Sequence, residues 1–219
     1  MTTLSSNKFI DIHTHSTGEG DVEIINIMPG DSSSGIFYSI GIHPSYIDKY
    51  QSHGFDILKE EINKKNCLAV GESGIDLFRK EVSLSVQKDV FIRHIELSEL
   101  YKKPLVIHAV RSYNHIIELK KLIRPSMKWI IHGFYGGDQV LSSLLNHGIY
   151  ISFGPNIFHR SQKFTSSIKL MPLNQLFFET DEYNIEISDV YKEFASIKRI
   201  ELNKLIVSVR NNFSEVFKF

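Results

Sequence analysis

Cysteine is nearly absent from this sequence of 219 residues, and its absence excludes a fold held together by disulfides. The single cysteine, Cys67, has no partner within the chain and lies in an apolar run, where a small core residue is expected. Disulfides are typical of secreted proteins, whereas a lone thiol fits a reducing compartment. We therefore predict a cytoplasmic protein.

Long apolar runs are missing as well. No segment approaches the roughly 20 apolar residues that span a bilayer, so we predict no membrane association. Residues 1–8 are polar and lack the apolar stretch of a signal peptide. Charge of one sign is also absent, since 25 Lys and Arg balance 25 Asp and Glu. This balance excludes a protein that holds nucleic acid by bulk electrostatics, but not an enzyme that touches only a strand end.

What the sequence contains is an alternation of short apolar runs and amphipathic segments. The later amphipathic segments predict helices at Gln87–Tyr101, Asp189–Ile197 and Glu201–Asn212, and two more that Ser112 and Asp138 would cap. Strands that alternate with helices predict an α/β fold, and eight such strands predict a (β/α)8 TIM-type barrel. The eight runs that fit strands buried on both faces are Phe9–His13, Val22–Met28, Phe37–His43, Leu68–Glu72, Leu105–His108, Trp129–His132, Ile149–Phe153 and Leu176–Thr180.

The first part of the predicted barrel departs from the ideal pattern. Between His15 and Val22 the chain is too short for a helix, and the run from Pro29 to Gly35 is typical of a loop. We therefore predict reduced helical cover in the N-terminal part. No repeat, linker or shift in composition divides the chain, which predicts a single domain over residues 1–219.

Metal-binding residue types recur where the predicted strands end. Asp11, His13 and His15 alternate along the first strand and therefore face the same way. Active sites of barrel enzymes lie at the carboxyl ends of the strands. A single histidine there is usually structural, but the repetition at successive strands predicts a metal site. The predicted ligands are His13, His15, Glu72, His108, His132 and Asp181, and His43 occupies the same position after the third strand.

Six ligands exceed the four of a tetrahedral ion and suit two divalent ions that share Glu72. Four imidazoles favour Zn²⁺, Mn²⁺ or Fe²⁺ over an all-oxygen site, and Mg²⁺ is a further candidate. Such ions activate water and neutralise the charge that builds on a scissile phosphate or carbonyl. We predict Asp181 and Glu72 as the catalytic carboxylates, with Asp181 as both a ligand and a proton acceptor.

Six motifs in order resemble those of the TatD family of metal-dependent deoxyribonucleases, which are amidohydrolase-like TIM barrels. The resemblance runs from Phe9 to Phe213. It implies a hydrolase of nucleic-acid phosphodiesters that often trims 3′ ends, with metal ligands at the same six residues. It also implies that His43 lies near the substrate phosphate, where it can hold a further ion. The motifs are Asp11-x-His13-x-His15, Gly41-Ile-His-Pro44, Gly71-Glu-Ser-Gly-Ile-Asp76, Pro104 to His108, His132 to Gly136 and Glu179-Thr-Asp181.

Two features depart from the family pattern. The 27 residues between His15 and His43 are fewer than the family norm, which alters one wall of the cleft and with it the substrate range. The usual arginine two positions after the fifth-strand histidine is absent, and Arg111 follows His108 by three positions. We predict substrate contacts from His43, Arg111, Tyr135, His159 and Arg160, and we consider Asp76 a candidate to orient a ligand.

The sequence therefore predicts a metal-dependent hydrolase of ester bonds, specifically a nuclease that acts at or near single-stranded ends of DNA, with RNA as a further substrate. Two alternatives stay open. One is a hydrolase of other esters or amides on the same scaffold, such as aminoacyl esters or small phosphoesters. The other is a non-catalytic binding subunit of a larger system. The sequence does not determine the oligomeric state and is compatible with a monomer.

Overall fold

Eight parallel strands follow one another around a nearly closed barrel. The computed structural model describes residues 9–32, 35–159 and 161–218. Neighbouring strands pair in chain order, and a bridge between Thr14 and Asp181 joins the last strand to the first. The predicted eight-stranded α/β barrel is confirmed. The strands are β1 (Ile10–Thr14), β2 (Val22–Ile27), β3 (Phe37–Ile40), β4 (Cys67–Asp76), β5 (Leu105–Val110), β6 (Trp129–Ile131), β7 (Tyr150–Phe153) and β8 (Leu176–Phe178).

Helices follow every strand from β3 onward. The described residues that connect β1 to β2 and β2 to β3 contain no helix, so the predicted reduction of helical cover is confirmed. None of the helices in the described residues combines the length and the apolar character needed to cross a membrane. The helices are α1 (Ile47–Ile62), α2 (Leu84–Tyr101), α3 (Tyr113–Ile123), α4 (Asp138–Asn146), α5 (Gln162–Leu170), α6 (Ile187–Lys198) and α7 (Leu202–Phe217).

Two of these helices, α1 and α5, were not predicted. Helix α1 is rich in polar residues and contains Gly54, which disfavours a helix interior. Its buried residues Tyr50 and Leu58 nevertheless lie on one face, and Gly54 allows a close approach to the core. A Cβ at Gly54 would lie 3.1 Å from Cδ1 of Ile42. Helix α5 has only three apolar residues among its nine, Phe164, Ile168 and Leu170, too few to show a clear apolar period.

Ser112 and Asp138 do not cap their helices in the predicted way. Ser112 precedes α3, but its hydroxyl donates to the carbonyl oxygen of Ile75 at 2.6 Å and so ties α3 to β4. Asp138 is the first residue of α4, and its carboxylate accepts hydrogen bonds from the hydroxyls of Ser166 at 2.6 Å and Ser167 at 2.9 Å. Tertiary partners therefore compete successfully with the helix termini for these side chains.

Strand β4 is longer than predicted, and its extra residues shape the mouth of the barrel. It continues past Glu72 to Asp76, with Gly74 opposite His108 and Asp76 opposite Val110. A Cβ at Gly74 would overlap the carbonyl oxygen of His108, so only glycine permits this close pairing with β5. The extension carries Asp76 to the same end of the barrel as His108.

Aromatic rings fill the layer between the barrel and its helices. The rings of Phe91 on α2 and Trp129 on β6 meet edge to face with 5.6 Å between centroids. On the other side, Phe194 of α6 packs against Phe153 and Phe178 at 5.4 and 5.0 Å. Each fully buried ring of this size contributes about 2–3 kcal/mol. This packing holds the strands, and therefore their carboxyl ends, in a fixed ring.

Candidate metal centre

A cleft of about 390 Å³ opens at the carboxyl ends of the strands. Five of the six predicted ligands line this cleft, and the sixth, His13, is fully buried against two of them, Glu72 and Asp181. The structure thus brings together residues that are up to 168 positions apart in the chain. The lining residues are His15, Asn26, Met28, Asp31, His43, Ser45, Tyr46, Glu72, Arg79, His108, His132, Asp181 and Glu182.

The carboxylate of Glu72 is the centre of this cluster. Nδ1 of His108 and Nε2 of His132 each donate to its Oε1 at 2.7 Å, and Nε2 of His13 lies 3.6 Å from Oε2. Burial opposes ionisation of Glu72, but the imidazoles of His132 and His108 outweigh it and hold the pKa of Glu72 well below its usual range. Glu72 is therefore an anionic oxygen donor at neutral pH.

The carboxylate of Asp181 is a second anionic group, on the other side of His13. Its Oδ1 lies 3.6 Å from Nε2 of His13 and 3.5 Å from Nε2 of His15. Burial raises the pKa of Asp181, but its contacts with His13 and His15 outweigh this and lower it. The backbone of Asp181 has a φ of 56°, and its N–H donates to the carbonyl oxygen of His13 at 3.0 Å. Pairing with β1 therefore holds Asp181 in a left-handed conformation that directs its side chain to the cleft.

The donor set fits divalent metal ions. Three overlapping groups each bring three donor atoms within 4.8 Å of one another. Both ring nitrogens of His13 are buried and have no hydrogen-bond partner among the described residues, an arrangement that is costly unless another group satisfies them. A metal ion at Nε2 would satisfy one of them, and mixed imidazole and carboxylate donors suit Zn²⁺, Mn²⁺ or Fe²⁺. The groups are His13, His132 and Asp181; His13, His15 and Glu72; and His43, Glu72 and His108.

Carboxylates behind the cluster orient its rings. Oδ2 of Asp76 lies 3.3 Å from Nε2 of His108, which is the position that the sequence suggested for an orienting residue. Oε1 of Glu179 lies 3.4 Å from Nδ1 of His132 and accepts the N–H of Gly133 at 2.5 Å. Such carboxylate–imidazole contacts set the direction of the nitrogen that binds a metal.

The carboxylate of Asp11 acts on the backbone rather than on an imidazole. It accepts the backbone N–H of His13 at 3.2 Å and the hydroxyl of Thr180 at 2.6 Å. Asp11 therefore links β1 to the segment after β8 and holds the backbone of His13 in place.

His43 presents a proton rather than a lone pair to the cleft. The backbone N–H of Ser45 donates to its Nδ1 at 3.1 Å, which leaves the hydrogen of the neutral ring on Nε2. Nε2 lies 3.5 Å from Oε1 of Glu72 and 3.3 Å from Nδ1 of His108. Burial lowers the pKa of His43 to about 4, so the ring is neutral at physiological pH. This arrangement favours a hydrogen-bond donor toward a substrate oxygen over a ligand of a further ion.

Arg111, Tyr135 and His159, which were also predicted to contact substrate, are not part of the cleft lining. The guanidinium of Arg111 lies over the ring of Phe78 at 5.4 Å, and Tyr135 packs on Phe164 with 4.6 Å between ring centroids. His159 is exposed at the end of a short turn after β7. Arg160 lies outside the described residues. Their contact with substrate stays a prediction.

Comparison with known families identifies the family of the chain. The family described as TatD related DNase matches residues 8–218. The chain belongs to this family. The resemblance inferred from the six motifs is therefore confirmed.

Several relatives carry the name of a metal-dependent hydrolase. One from Buchnera aphidicola of Acyrthosiphon pisum, named an uncharacterised metal-dependent hydrolase, is 33% identical over 154 residues, which cover 67% of this chain and 58% of that protein. Another from Haemophilus influenzae is 26% identical over 209 residues, covering 91% of this chain and 79% of that protein. The chain thus spans less than two thirds of the Buchnera relative.

Solved TatD structures share the fold. The crystal structure of the TatD homologue YjjV from Escherichia coli superposes with a TM-score of 0.81 at 21% identity and covers 98% of this chain and 100% of that one. A TatD-family hydrolase from Entamoeba histolytica superposes with a TM-score of 0.77 at 18% identity, covering 96% and 98% of the two chains. Both confirm the barrel.

Sequence reasoning missed seven lining residues of this TatD-family cleft, including Asn26 and Arg79. Oδ1 of Asn26 accepts the backbone N–H of Glu72 at 2.9 Å, and its signal was a polar residue inside the apolar run of β2. Arg79 follows a turn in which Oδ1 of Asp76 accepts the N–H groups of Phe78 at 2.8 Å and Arg79 at 3.3 Å. Arg79 was not predicted because the fourth strand was expected to end at Glu72, whereas it ends at Asp76.

Proposed function

We propose that this TatD-family chain is a metal-dependent hydrolase that cleaves phosphodiesters at or near the ends of single-stranded nucleic acids. The observation that carries the proposal is the position of Glu72, whose carboxylate is within 3.6 Å of a nitrogen of four imidazoles. Asp181 provides a separate anionic oxygen beyond His13. Membership of a family described as DNases supports the phosphodiester as the bond that is cut.

The proposal includes two divalent ions. We assign His13, His15, Glu72, His108, His132 and Asp181 as their ligands, with Glu72 shared between them. The donors lie on two sides of the cluster, because His15 lies 3.5 Å from Asp181 whereas His108 and His132 each lie 2.7 Å from Glu72, and this spread supports more than one ion. A bound divalent ion lowers the pKa of water and neutralises the charge that develops on a phosphate. Zn²⁺, Mn²⁺ and Fe²⁺ match the imidazole-rich donors, and Mg²⁺ is a further candidate.

The two carboxylates have different roles in this proposal. The side chain of Asp181 is 27% exposed and that of Glu72 is 7% exposed, so a water molecule reaches Asp181 more easily. Asp181 accepts the proton of the attacking water at its carboxylate, and Glu72 holds the ligand cluster together. The Nε2–H group of His43 donates to an oxygen of the scissile phosphate, because its other ring nitrogen is already engaged by Ser45.

The size and charge of the cleft support a strand end as the substrate. A volume of about 390 Å³ admits a nucleotide or two but not a duplex. The chain has no net charge, and Arg79 is the one Lys or Arg among the described residues of the lining. Binding therefore depends on few phosphate contacts and should have a shallow dependence on salt concentration.

An end-labelled ladder tests the proposal. Purified protein of measured metal content is incubated with single-stranded DNA and single-stranded RNA, and beside them with an aminoacyl ester and a small phosphoester. We expect about two divalent ions per chain and stepwise shortening of the strand, both lost with a chelator. Asp181→Asn should retain the fold and lose orders of magnitude in rate. Metal-dependent turnover of the esters alone would favour the alternative of a hydrolase of other esters or amides. No turnover by fully metallated protein would favour a non-catalytic binding subunit.

A further inference from the structure

The charged side chains that line the cleft outside the ligand cluster are separated by sign. Arg79 follows β4, whereas Glu182 follows β8 and Asp31 follows β2. The strands are arranged around the barrel in chain order, and β8 adjoins β1. Strand β4 therefore lies across the barrel from β8, and β2 lies two strands from each of them. Asp31 borders a second hollow with His15, which follows β1, and with no residue of β4. We call the two regions the arginine side and the acidic side.

The arginine side presents a positive charge that is free to meet an anion. Arg79 is exposed, and its guanidinium forms no ion pair with any of the described residues. The turn that carries it is anchored, because Oδ1 of Asp76 accepts the N–H of Arg79 while Oδ2 contacts His108. The arginine is thereby held next to the ligand cluster. Its planar guanidinium suits a phosphate group.

The acidic side presents two carboxylates. Glu182 is exposed and makes no ion pair within the described part of the chain. Oδ2 of Asp31 accepts the backbone N–H of Met28 at 3.1 Å, and Asp31 forms no ion pair with a described residue. Lys49 interacts electrostatically with Asp31, but its ammonium lies over the ring of Tyr50 at 4.9 Å and does not line the cleft.

We propose that the cleft accepts phosphate on the arginine side only, and that Asp31 and Glu182 exclude a second phosphate from the acidic side. This inference rests on the proposed phosphodiester hydrolysis and specifies its substrate. A bond inside a strand has phosphates on both sides of the nucleoside, so one of them would meet the two carboxylates. A terminal bond has a free hydroxyl there instead. The charges of the cleft therefore select the end of a strand or a small phosphodiester.

Nucleotide binding tests the inference without turnover. The ligands are thymidine 3′-phosphate, thymidine 5′-phosphate and thymidine 3′,5′-bisphosphate, titrated into Mn²⁺-loaded protein by calorimetry. We expect at least one monophosphate to bind on the order of tenfold more tightly than the bisphosphate. The carboxylates repel the second phosphate, and nearby solvent partly screens this repulsion. Asp31→Asn combined with Glu182→Gln should remove most of this preference. Arg79→Gln should weaken every ligand about tenfold or more.

Matched control variants remove charge elsewhere. Asp56→Asn combined with Glu60→Gln neutralises two exposed carboxylates on α1, and Arg124→Gln neutralises an exposed arginine at the C-terminal end of α3, away from the mouth. Both should bind all three ligands like the unmodified protein. All altered positions are exposed, so thermal unfolding should stay unchanged.

The same variants are then assayed on an end-labelled single strand. Neutralising the acidic side should raise cleavage at internal bonds relative to the terminal bond. An unchanged preference for the monophosphate in the Asp31 and Glu182 double variant, or unchanged binding after Arg79→Gln, would overturn the inference even if strands are cut. If no strand is cut but nucleotide binding changes as expected, the one-sided cleft stands and the nuclease proposal fails.

Discussion

His94 on α2 makes the stability of this barrel sensitive to acid. The ring is fully buried, its Nε2 accepts the backbone N–H of Ile42 at 3.0 Å, and its Nδ1 donates to the carbonyl oxygen of Val90 at 2.8 Å. To make both hydrogen bonds, the ring of His94 must be neutral, with its hydrogen on Nδ1 and none on Nε2. Because Ile42 immediately precedes His43, the same contact supports the backbone at the cleft.

The size of the effect follows from the pKa. Burial lowers the pKa of His94 from 6.5 to about 4 in the folded protein. Between these values the unfolded chain binds a proton that the folded chain does not, so stability rises with pH through this window and is lost on acidification. At about 1.4 kcal/mol per pH unit, His94 alone lowers the free energy of unfolding by roughly 2.5 kcal/mol between pH 7.5 and pH 4.5.

A variant with glutamine isolates this contribution from those of the cleft histidines. His94→Gln keeps an acceptor near the N–H of Ile42 and cannot titrate. The free energy of unfolding in urea is measured by circular dichroism at pH 7.5, 6.0 and 4.5. The variant should lose about 2.5 kcal/mol less than the unmodified protein over this range, whereas His53→Gln, on the exposed surface of α1, should lose the same amount as the unmodified protein. Equal losses in His94→Gln and the unmodified protein would refute the reasoning.

Three further predictions concern the metal centre. Glu72→Gln removes the charge shared by the imidazoles and should weaken Zn²⁺ or Mn²⁺ binding by at least a hundredfold, as measured by calorimetry; an unchanged affinity would contradict its role. Glu179→Gln should weaken metal binding about tenfold to a hundredfold by releasing His132, with Glu193→Gln on α6 as an unaffected control. Asn26→Leu leaves the buried N–H of Glu72 without its acceptor and should lower the free energy of unfolding by about 1–3 kcal/mol in urea, whereas Asn26→Asp should lose less; equal losses would argue against the hydrogen bond.

Much of the site follows from local patterns in the sequence. The apolar runs around Ile107 and Ile131 show where buried strands lie, and the polar residue that ends each run, His108 or His132, must then reach the mouth. This reasoning works because the carboxyl ends of all strands in a parallel barrel meet at one place. Residues far apart in the chain could thus be assigned to one cluster without knowledge of any contact.

Loop side chains could not be assigned in this way. Arg111 and Arg79 both lie within three residues of a strand end, yet Arg79 lines the cleft and Arg111 lies over Phe78 with a φ of 56°. No periodic pattern governs the direction of a loop side chain, because it depends on neighbours from other parts of the chain. The turn that directs Arg79 exists only because β4 extends to Asp76 along β5.

The sequence by itself determined three features: the parallel barrel, the reduced helical cover of its N-terminal part, and the residues that lie at its mouth. All three depend on periodicity and chain length. Only the tertiary structure decided which groups act together there. Pairing between β4 and β5 placed Asp76 behind His108, and pairing between β8 and β1 directed Asp181 to His13 and His15. The ring closure that sets Arg79 across from Glu182 is a long-range property of the fold, so no local stretch of sequence contains it.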